Sequence, residues 1–313
     1  MFQYSRSVAI CVLALGTLLQ ASSTPAQAQA APGNVPVTAV VTAIRHNFTD
    51  APPVAKEDVN VQSGKEPLNI REWIRAAGDH DALELAILID DAIHPQTIGV
   101  QLNDIRNFIK AQPKDTAVGI FYADYGTVFE VSPFSTNHAQ VASKVRLTQG
   151  RRYGGSPSIY LSLSDLAKKW PPANARREVL VIASGVDVME PGPVDPYFDA
   201  SLEDLQRAGI VVHSMYVGGY NLGTSFEGLI AQGNLVQITN DTGGMGFFQG
   251  IQTPVAFAPF LKQLSVILRN QYILIAGGSP SRHPKGDLRG IKLHIEQHGL
   301  KILYPRQVLF PGK

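Results

Sequence analysis

Cysteine is almost absent from this chain of 313 residues, which contains one, Cys11. Cys11 lies inside an apolar run near the N-terminus, so the chain after residue 30 has none. This excludes a disulfide framework, a thiolate metal site and a cysteine nucleophile from that part of the chain.

The chain also lacks an excess of either charge. Lys and Arg number 27 against 26 Asp and Glu, which gives a formal net charge of +1. No global charge therefore points to nucleic acid, an anionic membrane surface or an acidic substrate, and a partner must be recognised at a local site. Apolar residues are plentiful: 44% of the chain is hydrophobic, which is enough to bury a substantial core.

The N-terminus has the three parts of a secretory signal peptide. Arg6 precedes an apolar run over residues 8–19, and a stretch of small residues then ends at Ala28-Gln29-Ala30. The run is shorter than the ~20 residues that cross a bilayer, which favours a cleaved signal over a membrane anchor. We predict a signal peptide at residues 1–30, a secreted or periplasmic protein, and no membrane span after cleavage. The lack of cysteine in an exported chain favours a bacterial source.

Residues 80–278 predict an α/β domain. The apolar run from Leu83 to Ile89 ends in Asp90-Asp91 and is typical of a central strand buried on both faces of a parallel sheet. Strand and helix patterns then alternate, residues 218–250 are interpreted as Gly-rich turns, and the strand Tyr272 to Ile275 is expected to complete the unit. The alternation predicts a doubly wound, mostly parallel sheet with helices on both faces.

Two β segments flank this domain. Residues 31–79 carry β-branched and alternating runs. Residues 279–313 predict a C-terminal β-hairpin segment, in which the alternating stretch 291–295 turns back at His298-Gly299. We expect both segments to pack side by side, so that one α/β domain is flanked by a small β-module built from the two ends of the chain.

Several features in matching order and spacing carry a resemblance to a known family. They are Leu85 to Asp91, Gly154-Gly155-Ser156, Arg177 to Gly185, Thr242-Gly243-Gly244, Asn270-Gln271-Tyr272 and Gly286 to Ile295. In these the chain resembles the von Willebrand factor A family, and in particular a group of bacterial relatives with a β segment before the A domain and a strand pair after it. The resemblance implies an interaction module of the adhesion or scaffold type.

In that family a divalent cation is held by an Asp-x-Ser-x-Ser loop after the first strand, a Thr or Ser from a second loop, and a late Asp. Asp90 matches the first position and Ser156 the second-loop hydroxyl, but Ala92 and His94 replace the two serines and Ser184 stands at the late aspartate. Mg²⁺ prefers about six oxygen ligands, and the replacements remove oxygens. We therefore predict a degenerate site and no cofactor. Mg²⁺ or Mn²⁺ at Asp90, Ser156 and Ser184 is the alternative.

Ligands of doubly wound sheets bind outside the carboxyl ends of the strands, where aromatic side chains in loops bring large contact area. The predicted partner-binding face consists of Asp91, His94, Tyr125, Tyr153 and Tyr197. We expect an unidentified protein or peptide partner, bound with weak or no dependence on divalent metal. Ordinary loop composition is the competing interpretation.

Two other functions are alternatives at the same end of the sheet. An imidazole suits Zn²⁺, so Asp90 and His94 are candidates for part of a transition-metal site. A hydrolase or small-molecule-binding enzyme would use a pocket at Asp90, Ser156 and His94. The spacing around Ser156 differs from the Gly-x-Ser-x-Gly turn of a hydrolase nucleophile, so we do not expect an enzyme. His213, inside an apolar strand, is interpreted as a core histidine.

Overall fold

The computed structural model describes residues 34–150, 158–187, 195–218, 226–250 and 252–312. The predicted signal peptide and the predicted site residues Tyr153 and Ser156 lie outside them. The helices are α1 (Pro95–Ile98), α2 (Leu102–Lys110), α3 (His138–Ser143), α4 (Ile159–Lys169), α5 (Pro196–Ala208), α6 (Phe226–Thr242) and α7 (Ala258–Arg269). The strands are β1 (Val35–Arg45), β2 (Val59–Ser63), β3 (Glu66–Pro67), β4 (Asn69–Arg75), β5 (Leu83–Asp90), β6 (Thr116–Asp124), β7 (Thr127–Ser135), β8 (Arg176–Ala183), β9 (Ile210–Tyr216), β10 (Gly246–Phe247), β11 (Gln271–Gly278), β12 (Asp287–Gly290), β13 (Lys292–Ile295), β14 (Leu300–Leu303) and β15 (Gln307–Phe310). Within the described ranges, the structure has no helix that is both long and apolar enough to cross a membrane.

A six-stranded sheet in the order β10-β9-β8-β5-β6-β7 forms the centre of the fold. All neighbouring strands in it are parallel except β6 and β7, which are antiparallel. The chain runs outward from β5 through β6 and β7, then returns to β8 and runs the other way through β9 and β10. The topological switch point therefore lies between β5 and β8, where doubly wound sheets bind their ligands.

Helices cover both faces of this sheet, because successive side chains of a strand point to opposite faces. Ile87 of β5 belongs to a buried cluster with Ile105 of α2 and Leu264 of α7. Leu88, the next residue, belongs to a second cluster with Leu163 of α4. The predicted doubly wound, mostly parallel sheet with helices on both faces is confirmed.

A four-stranded antiparallel sheet in the order β14-β1-β11-β4 joins the two ends of the chain, so the predicted β-module is confirmed. The expectation that the strand Tyr272 to Ile275 completes the parallel sheet is wrong, because β11 pairs with β1 and β4. Leu274 is buried in the core of the module, whereas Ile273 and Ile275 are half-buried. This alternation suits an antiparallel strand with one covered face.

The C-terminal strands do not form the predicted hairpin. β13 pairs with β2, β14 with β1, and β15 with β12. Leu293 and Phe310 bury their side chains in the same cluster as Val41 and Val59, so the expected packing of the two terminal segments side by side is confirmed. The hairpin prediction was wrong because the turn pattern at His298-Gly299 is local and carries no information about pairing with distant strands.

The Gly-rich stretch at residues 218–250 contains a helix that the sequence interpretation missed. α6 occupies much of it, and the short strand β10 follows. Gly233 disfavours a helix in isolation. Leu235 and Ile238 of α6 are nevertheless fully buried, and this tertiary packing outweighs the unfavourable local propensity.

Candidate functional site

The candidate site lies at the carboxyl ends of β5 and β8, on either side of the switch point. Asp90 is the last residue of β5, and Ser184 directly follows β8. The two strands are parallel neighbours, with Ile89 opposite Ile182. The structure therefore brings Asp90 and Ser184, two of the predicted ligand residues, to the same edge of the sheet.

The loop after β5 uses its polar side chains to hold its own backbone. Asp90 is buried, and its Oδ1 accepts a hydrogen bond from the backbone N–H of Ala92 at 3.0 Å. His94 is exposed and caps α1, since its Nδ1 accepts from the N–H of Gln96 at 3.4 Å. These bonds stabilise the backbone of the loop.

The metal positions of the resemblance are poorly supplied with oxygen. The Oγ of Ser184 accepts from the N–H of Val186 at 3.4 Å, and Ala92 has no side-chain oxygen. Across the described residues, no group of three or more His, Cys, Asp or Glu side chains is placed to hold a metal ion. Of the family's ligand positions, the described residues thus supply Asp90 and Ser184, which does not fit the family's oxygen-rich shell.

Asp91, a predicted partner contact, is buried and anchors a neighbouring loop. Its two carboxylate oxygens accept hydrogen bonds from the guanidinium of Arg146, both at 2.8 Å, and Oδ1 also accepts from the N–H of Gln149 at 2.9 Å. The hydrogen bond to Asp91 raises the pKa of Arg146. The guanidinium carbon lies 3.8 Å from the centre of the Tyr122 ring, and the Tyr122 hydroxyl donates to the Arg146 carbonyl at 2.7 Å. Residues 146–150 are thereby held against the sheet.

A buried polar cluster behind β8 was not identified from the sequence. The hydroxyl of Ser158 donates to Asp187, and the hydroxyl of Tyr160 donates to the carbonyl of Gly185 at 2.8 Å. Asp195 Oδ1 caps α5 by accepting two backbone N–H groups of its first turn, at 2.9 and 3.0 Å. Burial raises the pKa of Asp195, and the nearby charge of Asp187 raises it further. An Asp directly before a proline at a helix start was the available sequence signal.

The predicted tyrosines occupy different environments. Tyr125 is 48% exposed at the tip of the β6–β7 hairpin, with a left-handed φ of 50° that is uncommon for residues other than glycine. Tyr197 is half-buried and packs against the second core cluster. Tyr153 lies outside the described residues. Tyr125 thus presents its ring to solvent, whereas Tyr197 contributes partly to the core.

Exposed apolar side chains gather at the same end of the sheet. Among the described residues, eight large hydrophobic side chains are exposed, and seven of them lie in loops and helix starts at the carboxyl end of the sheet. We call these seven the carboxyl-end set: Val100, Tyr125, Leu147, Phe226, Leu229, Phe248 and Val255. The eighth, Phe129, lies on the edge strand β7. Sequence patterns identified Tyr125 but not the others, because exposure of an apolar loop residue depends on the fold around it.

His213 is fully buried, and its interpretation as a core histidine is confirmed. Its Nδ1 accepts a hydrogen bond from the N–H of Met245 at 3.1 Å, so the ring proton lies on Nε2. Nε2 donates to the buried carboxylate of Glu178 at 2.7 Å. Both ring nitrogens therefore have structural partners.

The strand order, the single antiparallel edge strand β7 and the helices on both faces define a von Willebrand factor A-like α/β fold. Neither a protein-family model nor a curated protein matches the sequence. Several solved structures resemble the chain. One is an aerotolerance-related membrane protein from Bacteroides fragilis that carries multiple mutations to serines. It is 14% identical with a TM-score of 0.43, over 59% of this chain and 98% of that one.

Two further structures are similar. The VWA domain of SpRpn10 is 11% identical with a TM-score of 0.38, over 59% of this chain and 94% of that one. The ArnB paralog VWA2 from Sulfolobus acidocaldarius is 8% identical with a TM-score of 0.39, over 88% of this chain and 76% of that one. Since these TM-scores lie below 0.5, the fold assignment rests on the strand order, and the comparisons carry no argument about function.

Proposed function

We propose that this chain is an exported protein-interaction module that binds a protein or peptide partner through the carboxyl-end set. The observation that carries the proposal is the concentration of exposed apolar side chains there: seven of eight among the described residues. Grouped apolar exposure on a soluble protein marks interaction surfaces, whereas scattered single residues do not. The switch point between β5 and β8 opens at this same end of the sheet.

The Asp91–Arg146 pair supports the proposal because it prepares the surface for binding. Leu147 follows Arg146 and is 53% exposed, although the main chain on both sides of it is held by hydrogen bonds. A fixed backbone reduces the entropy that is lost when a partner binds. We therefore assign Leu147 as a contact, together with Val100 and Val255 of the same set.

The proposal includes weak or no dependence on divalent metal, and no catalytic role. It is supported by the replacement of two family serines with Ala92 and His94, and by the commitment of Asp91 to Arg146. Among the described residues, no specific observation favours a hydrolase. Ser156, which that alternative requires, lies outside them.

The experiment is photo-crosslinking in the producing cells, followed by affinity measurement. A photoreactive residue at position 147 or 100 is expected to capture a partner that the same residue at Lys114 does not, because Lys114 is exposed at the amino end of β6. With the captured partner purified, Leu147→Ser is expected to weaken binding roughly 10-fold or more, as at interface hot spots.

The matched control is Phe129→Ser, which removes an equally exposed apolar side chain from outside the set. It is expected to change affinity less than about twofold, as for most surface contacts. Equal losses in both variants, or capture from position 114 alone, would contradict the proposed surface.

A further inference from the structure

A cavity lies at the end of the sheet opposite the carboxyl-end set, between the β-module and the amino ends of β8 and β9. It has a volume of about 520 Å³, within the range of small-molecule sites. One wall is the face of the β-module that carries Val40, Ile273 and Ile275, and the other includes Arg177 and Val211. We call this space the amino-end cleft.

The β-module wall of the cleft is apolar and incompletely covered. Val40 of β1, Ile74 of β4, and Ile273 and Ile275 of β11 lie on neighbouring strands, and each is half-buried. Aliphatic side chains on three adjacent strands form a continuous apolar surface. Covering it with another apolar group is favourable by roughly 25 cal/mol per Å² of apolar surface that is removed from water. The wall thus suits the hydrocarbon part of a ligand.

The opposite wall carries positive charge. Three arginines line the cleft, Arg176, Arg177 and Arg207, against one carboxylate, Asp79. Arg207 is paired with Glu203 outside the cleft. Arg177 is half-buried and forms no ion pair or hydrogen bond with any side chain that the structure describes.

Arg176, in contrast to Arg177, is engaged within the protein. Its side chain is 2% exposed, and its Nη atoms are occupied by Asp81 and the Leu268 carbonyl at 2.9 and 3.1 Å. Its Nε, however, is buried without a hydrogen-bond partner among the described residues. Because Nε is buried, a ligand in the cleft does not reach it, and Arg176 contributes only its charge to this wall. The cleft therefore has the unpaired guanidinium of Arg177 on one side and hydrocarbon on the other.

We propose that the amino-end cleft binds a small amphipathic carboxylate. The guanidinium of Arg177 donates two parallel N–H hydrogen bonds to the two oxygens of this carboxylate. Its hydrocarbon part lies against Val40, Ile273 and Ile275. A single unpaired guanidinium favours a monoanion over a phosphate, and the aliphatic wall favours an acyl chain over a sugar. This site is at the other end of the sheet from the carboxyl-end set and does not depend on the proposed partner binding.

The test uses the full chain and two probes of the same shape, octanoate and its neutral analogue octanamide, with binding followed by ligand-observed NMR titration. Octanoate is expected to bind roughly 10-fold more tightly than octanamide, because only octanoate carries a charge and can accept from the guanidinium with two oxygens. Arg177→Met is expected to remove this preference. Arg45→Met, which removes an exposed arginine outside the cleft, is expected to leave it unchanged.

Thr38→Trp tests the cleft without touching an arginine. Thr38 is an exposed residue that lines the cleft, so an indole there fills the space and is expected to weaken both probes. Thermal unfolding of each variant checks that it folds. Failure of octanoate to bind, equal binding of both probes, or octanoate binding that survives both Arg177→Met and Thr38→Trp would overturn the proposal.

Discussion

Two buried aspartates near the switch point differ in how their charge is compensated. Asp91 faces the guanidinium of Arg146 at 2.8 Å with both oxygens. Asp195 caps α5 through Oδ1, but its Oδ2 is buried without a hydrogen-bond partner among the described residues. Burial of a carboxylate without a cation is costly, and this cost raises the pKa of Asp195, with the charge of Asp187 adding to it. Asp195 therefore contributes a cap and a charge with opposite effects on stability.

Substitution of Asp195 separates these two effects. The pKa of Asp195 in the folded chain lies above its ordinary value of 3.8, so the folded state holds the proton more tightly. The contribution of Asp195 to the free energy of unfolding therefore falls as pH rises through the interval between its unfolded and folded pKa values. Asp195→Asn keeps an oxygen for the cap without the charge, and we expect its stability relative to the native chain to increase from pH 4 to pH 7. Asp195→Ala loses the cap and is expected to be about 1 kcal/mol less stable than Asp195→Asn.

Urea unfolding of the three chains across this pH range measures both effects. Asp199→Asn, which removes an exposed carboxylate from the first turn of the same helix, is the matched control for the loss of one negative charge. The interpretation fails if Asp195→Asn loses stability relative to the native chain as pH rises, since the carboxylate would then be stabilising.

At the scale of elements, the backbone between α6 and β10 passes very close to the backbone of β9. A Cβ at Gly244 would lie 1.9 Å from the carbonyl oxygen of Val212 in β9. Gly244 also donates its N–H to the carbonyl of Thr239 at 2.7 Å, which ends α6 and directs the chain toward β10. No side chain fits between these two elements.

Gly244→Ala is therefore expected to lower the free energy of unfolding by at least about 3 kcal/mol, because the clash is with backbone and cannot be relieved by a rotamer change. Gly233→Ala is the matched control, since a Cβ there has no atom within 4 Å and the site is inside α6. It is expected to stabilise the chain by about 0.5–1 kcal/mol through helix propensity. Denaturant unfolding measures the free energy of unfolding of both variants. A loss well below about 3 kcal/mol in Gly244→Ala would contradict the prediction, because it would show that β9 and the end of α6 can move apart at little cost.

The same elements show how far the sequence predicts the structure. The run Leu83 to Ile89 identified β5 because a strand buried on both faces must be apolar throughout. α6 was missed because its glycines are compensated by contacts with β9 and α5, which no local pattern contains. The position of β11 was missed for a similar reason: its pairing with β1 joins residues more than 200 positions apart. The positions of Asp90 and Ser184 could be predicted because each lies at the end of a predicted strand. The hydrogen bonds between Asp91 and Arg146 could not, because the two residues are 55 positions apart in the sequence.

At the scale of the whole molecule, the two ends of the central sheet have different chemistry. The carboxyl end presents exposed apolar side chains around a loop held by Asp91 and Arg146. The amino end is covered by the β-module, and the cleft between them has the side chain of Arg177 in its wall. We expect the proposed partner binding at one end and the proposed carboxylate binding at the other to be separable by substitution, with Leu147→Ser affecting only the first and Arg177→Met only the second.

Stability of the whole chain also tests the role of divalent metal. A bound ion whose free concentration is about 100 times its dissociation constant would add about 2.7 kcal/mol to the stability of the folded state, equivalent to a rise of roughly 5 °C in melting temperature for a chain of this size. Because Ala92 and His94 replace oxygen ligands and the Oδ1 of Asp90 already accepts the N–H of Ala92, we expect EDTA to leave the melting temperature unchanged. Asp90→Ala is the control for a site-specific effect. A melting temperature that falls with EDTA and is restored by Mg²⁺ or Mn²⁺ in the native chain, but not in Asp90→Ala, would show that the remaining ligands still hold an ion.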